Sequence, residues 1–220
     1  APDLGFEPKH LDLELDVDVV GAQFTASAVW HLQARRSMQR SITFDAVGFD
    51  VATVEDPSGS AVQWRHDGRQ LWVTWDEPVE YGVERCIRIQ WAGLSPKSGM
   101  FFGRGAGVTD GPFTWMATDH ETERARYWLP CIDHPNVRTS IDLRLSAAER
   151  YKRLGPGKLI SETDAGAGKS TSHWRLEERC PSYLFCVAVG EFVSQQGEEV
   201  DGVDIAFFGV APHTASDLQR

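Results

Sequence analysis

The sequence predicts an all-β fold, because alternating apolar and polar residues recur along the chain and signals for helices are nearly absent. Residues 10–20 carry leucine or valine at every second position, with mostly acidic residues between them. This alternation is typical of a strand with one face in the core and the other in water. Asp67-Gly68 stands between two alternating segments, which is a strong hairpin signal. The 220 residues are enough to bury a substantial core.

Strands are predicted along most of the chain. Residues 10–20 and 24–32 form a predicted first hairpin around a break at Gly21-Ala22. Turn residues separate the later alternating segments, so further strands are expected at 42–51, 62–66, 71–75, 83–91, 141–145, 159–160, 173–176 and 203–210. Glycine-rich residues 93–113 are interpreted as a mobile connection.

Three segments depart from this simple pattern. Residues 146–154 could hold one short helix. The apolar residues 183–189 are the best candidate for a fully buried strand, and a second helical segment is expected to begin at Pro212. These exceptions leave the all-β prediction unchanged.

Composition excludes several classes of partner. The formal net charge of −10 and the absence of a Lys/Arg cluster argue against nucleic acid binding. No apolar run approaches about 18 residues, and no basic-then-apolar start is present, so neither a membrane span nor a signal peptide is predicted and a cytoplasmic location is expected.

The four cysteines lack a Cys-x-x-Cys pair and are expected to be buried thiols: Cys86, Cys131, Cys180 and Cys186.

Two segments resemble motifs that they do not complete. Residues 165–170, Ala-Gly-Ala-Gly-Lys-Ser, resemble a phosphate-binding loop, but Thr163 occupies the first glycine position and a strand follows, so a hairpin loop is expected. Residues 120–124, His-Glu-Thr-Glu-Arg, resemble a zinc peptidase helix. That motif needs a second histidine where Arg124 stands, and the other histidines are scattered, so no metal site is predicted in this chain.

Residues 114–135, the central block, are the best candidate for a functional site. Tryptophan and proline in the block restrict its backbone. The block also concentrates side chains capable of binding or proton transfer: Asp119, His120, Glu121, Glu123, Arg126, Cys131, Asp133 and His134.

The central block resembles the N-terminal domain of the M1 family of zinc aminopeptidases, the gluzincins related to aminopeptidase N. The matching segments in the block are Thr118-Asp119-His120-Glu121, Ala125-Arg126, Trp128-Leu129-Pro130-Cys131 and Asp133-His134-Pro135. Weaker matches extend the resemblance over essentially the whole chain, at Arg138-Thr139, Pro181-Ser182-Tyr183-Leu184 and Val189-Gly190-Glu191-Phe192.

The resemblance implies a single saddle-like, mostly antiparallel β domain over residues 1–220. In the family this domain packs beside a catalytic domain that carries His-Glu-x-x-His and Gly-x-Met-Glu-Asn, and neither motif occurs in these residues. The zinc ligands and catalytic residues are therefore expected in a downstream domain, and this chain is expected to be inactive alone. The implied partners are that catalytic domain and the N-terminus of a peptide substrate.

The resemblance also implies a substrate-binding role for two acidic residues. The family uses a Gln and a Glu here to help bind the free α-amino group. Glu121 matches the Glu, and Asp119 stands where Gln is usual. Carboxylates suit this task because they form charge-assisted hydrogen bonds with an ammonium group, and residues two apart on extended backbone face the same side. The alternative for Asp119 is an ion pair with an internal arginine and no part in binding.

The other polar residues of the block are expected to be structural. Arg126, Trp128, Pro130 and Asp133 should fix the loop, Cys131 should be a buried thiol, and His120 and His134 have no expected catalytic role. Two alternatives to the peptidase interpretation stay open: a non-catalytic relative that keeps the β domain as an interaction scaffold, and a free-standing β-sandwich binding module.

Overall fold

The computed structural model describes residues 4–210. The strands in chain order are β1 Phe6–Asp18, β2 Gln23–Ala34, β3 Gln39–Asp45, β4 Asp50–Glu55, β5 Val62–His66, β6 Gln70–Val79, β7 Glu84–Leu94, β8 Met100–Gly103, β9 Trp115–Thr118, β10 Thr139–Ala148, β11 Lys152–Leu154, β12 Lys158–Gly166, β13 Lys169–Cys180, β14 Ala188–Gly190, β15 Phe192–Gln196 and β16 Ala206–Val210. Two 3-10 helices span Ala125–Tyr127 and Ser182–Leu184. The predicted all-β fold is confirmed.

The largest sheet has seven strands in the order β12-β13-β10-β1-β2-β7-β4. Strands β1 and β10 pair in parallel, and the other strand pairs among the described residues are antiparallel. Three smaller sheets have the orders β3-β6-β5, β11-β14-β9-β8 and β15-β16. The mostly antiparallel prediction is therefore also confirmed.

The core lies between the seven-stranded sheet and the sheet β3-β6-β5. On β1, the alternating Leu11, Leu13 and Leu15 are at most 1% exposed, because the period of two directs them all to one face. Aromatic rings join the two sheets: the ring centroids of Trp30 on β2 and Phe44 on β3 are 5.8 Å apart. The opposite face of the seven-stranded sheet carries the polar residues of the same strands.

Most predicted hairpins are present. Asp67-Gly68 joins β5 to β6, and the Asp67 carboxylate accepts hydrogen bonds from the backbone N–H groups of Arg69 and Gln70. The segment 165–170 contains the turn between β12 and β13, so the hairpin prediction is confirmed there too. The predicted connection at 93–113 contains the short strand β8.

Two local predictions are wrong. Residues 146–154 form no helix, because β10 continues to Ala148 in pairing with β13 and β11 pairs with β14. Residues 183–189 form the end of a 3-10 helix and the start of β14 rather than a fully buried strand, and Leu184 is 48% exposed. In both cases pairing between distant segments decides the conformation, which a local apolar pattern cannot express.

The helical segment predicted from Pro212 lies outside the described residues. Among residues 4–210 there is no helix with the length and apolarity that crossing a membrane requires.

Candidate functional site

The central block connects the four-stranded sheet β11-β14-β9-β8 to the seven-stranded sheet. Strand β9 pairs with β8 and β14, and the chain then turns into the 3-10 helix at Ala125–Tyr127 before it reaches β10. Cys131 and Asp45, at the end of β3, exchange two backbone hydrogen bonds of 2.7 and 3.1 Å. The block is thus fixed to two sheets through its backbone.

Core tryptophans also fix the block. Trp91 Nε1 donates to the backbone oxygen of Trp128 at 2.6 Å, and Trp30 Nε1 donates to that of Pro130 at 3.1 Å. Both donors lie on the seven-stranded sheet and are buried. Buried indole N–H groups need a partner, and here the block supplies it. The structural roles predicted for Trp128 and Pro130 follow from these contacts.

Asp133 is the centre of a buried polar network. Its side chain is 2% exposed and accepts hydrogen bonds from the Arg126 backbone N–H and Nε at 3.1 Å each, and from Ser182 Oγ at 2.7 Å. Burial opposes the charge on Arg126, but the hydrogen bond to Asp133 and the Asp45 carboxylate outweigh this and raise the pKa of the guanidinium. The predicted loop-fixing role of Arg126 and Asp133 fits this network.

His120 is a buried structural histidine. Trp128 Nε1 donates to His120 Nε2 at 2.7 Å, and the two rings are stacked with centroids 5.7 Å apart. Because Nε2 accepts, Nδ1 carries the proton; Nδ1 makes no hydrogen bond of normal geometry with the described residues. Burial lowers the pKa of His120 to about 4, against the opposing effect of the Asp133 and Asp119 charges.

This pKa predicts a loss of stability in mild acid. The unfolded chain binds a proton at His120 near its ordinary pKa of 6.5, whereas the folded chain binds it only near 4. Between these values the unfolded state holds more protons, so the free energy of unfolding should fall by about 3 kcal/mol as the pH drops through this window. Urea unfolding of the wild type and His120→Gln, measured from pH 7 to pH 4, tests this.

His120→Gln keeps an acceptor for the Trp128 N–H but cannot titrate, so its unfolding free energy should lose most of this pH dependence. His134→Gln is the matched control and should retain it. Equal pH slopes for the wild type and His120→Gln would contradict the assignment.

The structure places Asp119 and Glu121 on the exposed turn that follows β9. The turn closes through a hydrogen bond of 2.9 Å from the Arg124 N–H to the His120 oxygen. The extended backbone expected for residues 119–121 is therefore wrong beyond His120, because the chain must reverse here to enter the 3-10 helix. Gly99 lies against this turn, where a Cβ atom would come within 2.1 Å of the Arg124 oxygen.

The three acids of this turn differ in their partners. Asp119 contacts Arg124 Nη1 at 3.2 Å, which is the arginine pair considered as an alternative for this residue. Glu123 contacts Arg126 Nη2 at 3.3 Å. Glu121 is exposed and forms no ion pair within residues 4–210. It is the carboxylate of this turn that is free to accept a ligand.

The cysteines do not form a reactive centre. All four are free thiols, but only Cys131 is buried as expected; Cys86 and Cys180 are half-buried, and the prediction is wrong for the exposed Cys186. Burial raises the pKa of the Cys131 thiol well above its ordinary value, which suppresses the thiolate that a nucleophile needs.

Comparison with known proteins decides the family. Residues 7–184 match the family model described as the Peptidase M1 N-terminal domain. The chain belongs to the peptidase M1 N-terminal domain family. The resemblance seen in the central block is thereby confirmed.

Curated relatives of this M1 domain are aminopeptidases. Aminopeptidase N from Lactobacillus delbrueckii subsp. lactis is 23% identical over 222 residues, covering 97% of this chain and 24% of the relative. Endoplasmic reticulum aminopeptidase 1 from Homo sapiens is 22% identical, covering 88% of this chain and 20% of the relative. The chain thus spans about a quarter or less of the length of these two relatives.

Solved structures share the fold of the M1 domain. An M1 zinc metallopeptidase from Deinococcus radiodurans superimposes with a TM-score of 0.75 at 21% identity, covering 90% of this chain and 45% of that protein. At 21% identity, this match shows that the two proteins share a fold.

Proposed function

We propose that this chain is the substrate-anchoring β domain of an M1 zinc aminopeptidase, an enzyme that removes N-terminal amino acids from peptides. Membership of the family and the aminopeptidase names of its relatives support the reaction class. The observation that carries the anchoring role is Glu121, an exposed carboxylate without an ion-pair partner in the described part of the chain, on a turn fixed to the core.

The proposed role of Glu121 is to bind the α-ammonium group of the substrate. A carboxylate accepts short, charge-assisted hydrogen bonds from an ammonium group, and these are about twice as strong as neutral ones. An exopeptidase needs such a contact to position the first peptide bond of a chain at the reacting centre. Asp119 keeps a secondary role in this proposal, since Arg124 already offsets its charge.

The central block does not fit a zinc ion. His120 Nε2 accepts the Trp128 N–H, and Arg124 occupies the position that a second histidine would need. We therefore propose that the catalytic zinc is held by a downstream domain, where it would supply a Lewis acid and an activated water. On this proposal the chain is inactive alone. The downstream domain as a partner and the cytoplasmic location stay predictions.

Blocking the substrate amine tests the proposed function. The experiment uses a protein that joins this chain to its catalytic domain and compares an aminoacyl anilide with its N-acetylated analogue. The free-amine substrate should be hydrolysed at least about 100-fold faster, because acetylation removes the ammonium charge. A zinc chelator should abolish hydrolysis, and the 220-residue chain alone should release no product.

Equal hydrolysis of the two anilides would contradict the anchoring role. If the protein binds no zinc and hydrolyses neither anilide, the non-catalytic interaction scaffold is the better explanation.

A further inference from the structure

The outer face of the seven-stranded sheet carries a row of histidine and aspartate side chains that lie outside the central block. The strand order β13-β10-β1-β2 places these residues side by side, although they are distant in sequence. Their positions follow from the registers that pair His10 with both His31 and Ser140, and Asp142 with both Asp12 and Arg175. The row consists of His31, His10, Asp12, Asp142 and His173.

Three members of the row bring ligand atoms to one point. His10 Nε2 is 3.6 Å from Asp12 Oδ1 and 3.5 Å from Asp142 Oδ2, and all three ligand atoms lie within 4.8 Å of one another. A tetrahedral zinc ion with bonds of about 2.0–2.1 Å separates its ligand atoms by roughly 3.3 Å. The two distances from His10 Nε2 are close to this value. The carboxylate oxygens lie within 4.8 Å and would close toward the same value around a shared ion.

Ser140 fixes the orientation of the His10 ring. Ser140 Oγ donates its hydrogen to the Lys9 oxygen at 3.3 Å, and His10 Nδ1 lies 2.8 Å from the same Oγ. In the tautomer that carries its proton on Nδ1, His10 donates to Ser140 Oγ. Nε2 is then the atom that faces both carboxylates, which is the arrangement that a hydrogen-bonded second nitrogen gives to metal-ligating histidines.

The His10 Nε2 atom makes no short hydrogen bond to either carboxylate. Its distances of 3.5 and 3.6 Å to the two carboxylates are too long for good hydrogen bonds. A cation between the three atoms would offset the charge of both carboxylates.

The carboxylates are themselves held in place. Arg175 Nε lies 3.0 Å from both oxygens of Asp142, Arg175 Nη2 donates to Oδ1 at 2.9 Å, and His173 Nε2 also contacts Oδ1. Oδ2 has fewer partners and keeps a lone pair for a further ligand bond. His31 Nε2 contacts the second oxygen of Asp12 at 2.8 Å. His10, Asp12 and Asp142 are thus each held by a contact with a residue that is not itself a proposed ligand.

We propose that His10, Asp12 and Asp142 bind one zinc ion, with water completing its coordination. Nitrogen and carboxylate ligands are both suited to zinc. The site would link β1 to β10, the parallel pair of the sheet, and so would act in stability. This proposal is independent of the aminopeptidase proposal, because it uses none of the residues of the central block.

Calorimetric titration of the metal-free 220-residue chain with zinc chloride tests the site. One equivalent should bind, and His10→Gln and Asp12→Asn should each weaken the affinity by more than about tenfold because each removes a ligand. Ser140→Ala removes only the supporting hydrogen bond and should weaken it by about tenfold. His134→Gln is the matched control and should bind as the wild type does.

Circular dichroism of each variant establishes that it is folded. Asp12 lies on the exposed face, so Asp12→Asn should keep the fold even if His10→Gln does not. Absence of saturable zinc binding to the wild type, or unchanged affinity in the folded ligand variants, would overturn the proposal.

Discussion

Replacing Glu121 with glutamine should lower kcat/KM for free-amine peptide substrates by about 100-fold in a protein that joins this chain to the proposed catalytic domain. Loss of a hydrogen bond to a charged group costs about 1.5–3 kcal/mol, and each 1.36 kcal/mol is a factor of about ten in rate. Glutamine keeps the size of the side chain and removes its charge, so the measured loss reports the interaction with the ammonium group.

The neighbouring acids supply matched controls. Asp119 and Glu123 lie on the same exposed turn, but each already contacts an arginine. Asp119→Asn and Glu123→Gln should therefore lower kcat/KM by less than about tenfold, since exposed ion pairs contribute little. Near-normal kinetics of Glu121→Gln, or equal losses in all three variants, would reject the specific role of Glu121.

Replacing Asp133 with alanine should lower the free energy of unfolding by about 3–5 kcal/mol. The substitution leaves the partly buried Arg126 without its main counter-charge, and it removes the acceptor for the Ser182 hydroxyl. Breaking one partner of a buried pair is costly because the remaining charge stays desolvated. Urea unfolding at pH 7 measures the change.

Asp119→Ala serves as the control for this stability measurement. The Asp119 side chain is 63% exposed, and its pair with Arg124 is exposed as well, so its loss should cost less than about 1 kcal/mol. A loss of under about 1 kcal/mol for Asp133→Ala would show that the network does not hold the block.

The repeating pattern of the sequence predicts most of the sheet correctly. In β1 the period of two is strict, so each apolar side chain of residues 11–17 is buried as expected. The hairpin at Asp67-Gly68 is equally local, because the Asp67 side chain forms the turn with its own neighbours. Features that depend only on nearby residues are therefore predictable from the sequence.

The errors have a common physical origin in long-range pairing. Residues 146–154 are strands because β13 and β14 pair with them, and no residue within the segment indicates these partners. The cluster around His10 was missed for the same reason: β1 and β10 pair in parallel across more than a hundred residues. His173 comes near His10 only through this pairing, whereas His31 faces His10 across the hairpin of β1 and β2.

The central block was located by its family motif, and the structure adds the partners of each acid. The sequence alone left two roles open for Asp119, and the contact with Arg124 favours the structural one. Glu121 and Glu123 carry the same side chain, so residue type alone does not predict which of them forms an ion pair. The difference arises because the turn brings Glu123, and not Glu121, within 3.3 Å of Arg126.

A crystal structure of a protein containing this domain and the proposed catalytic domain, with a free L-amino acid bound, tests the central claim most directly. The proposed role requires a Glu121 carboxylate oxygen within about 3.2 Å of the ligand ammonium nitrogen. An ammonium group held by other side chains, with Glu121 left in solvent, would contradict it.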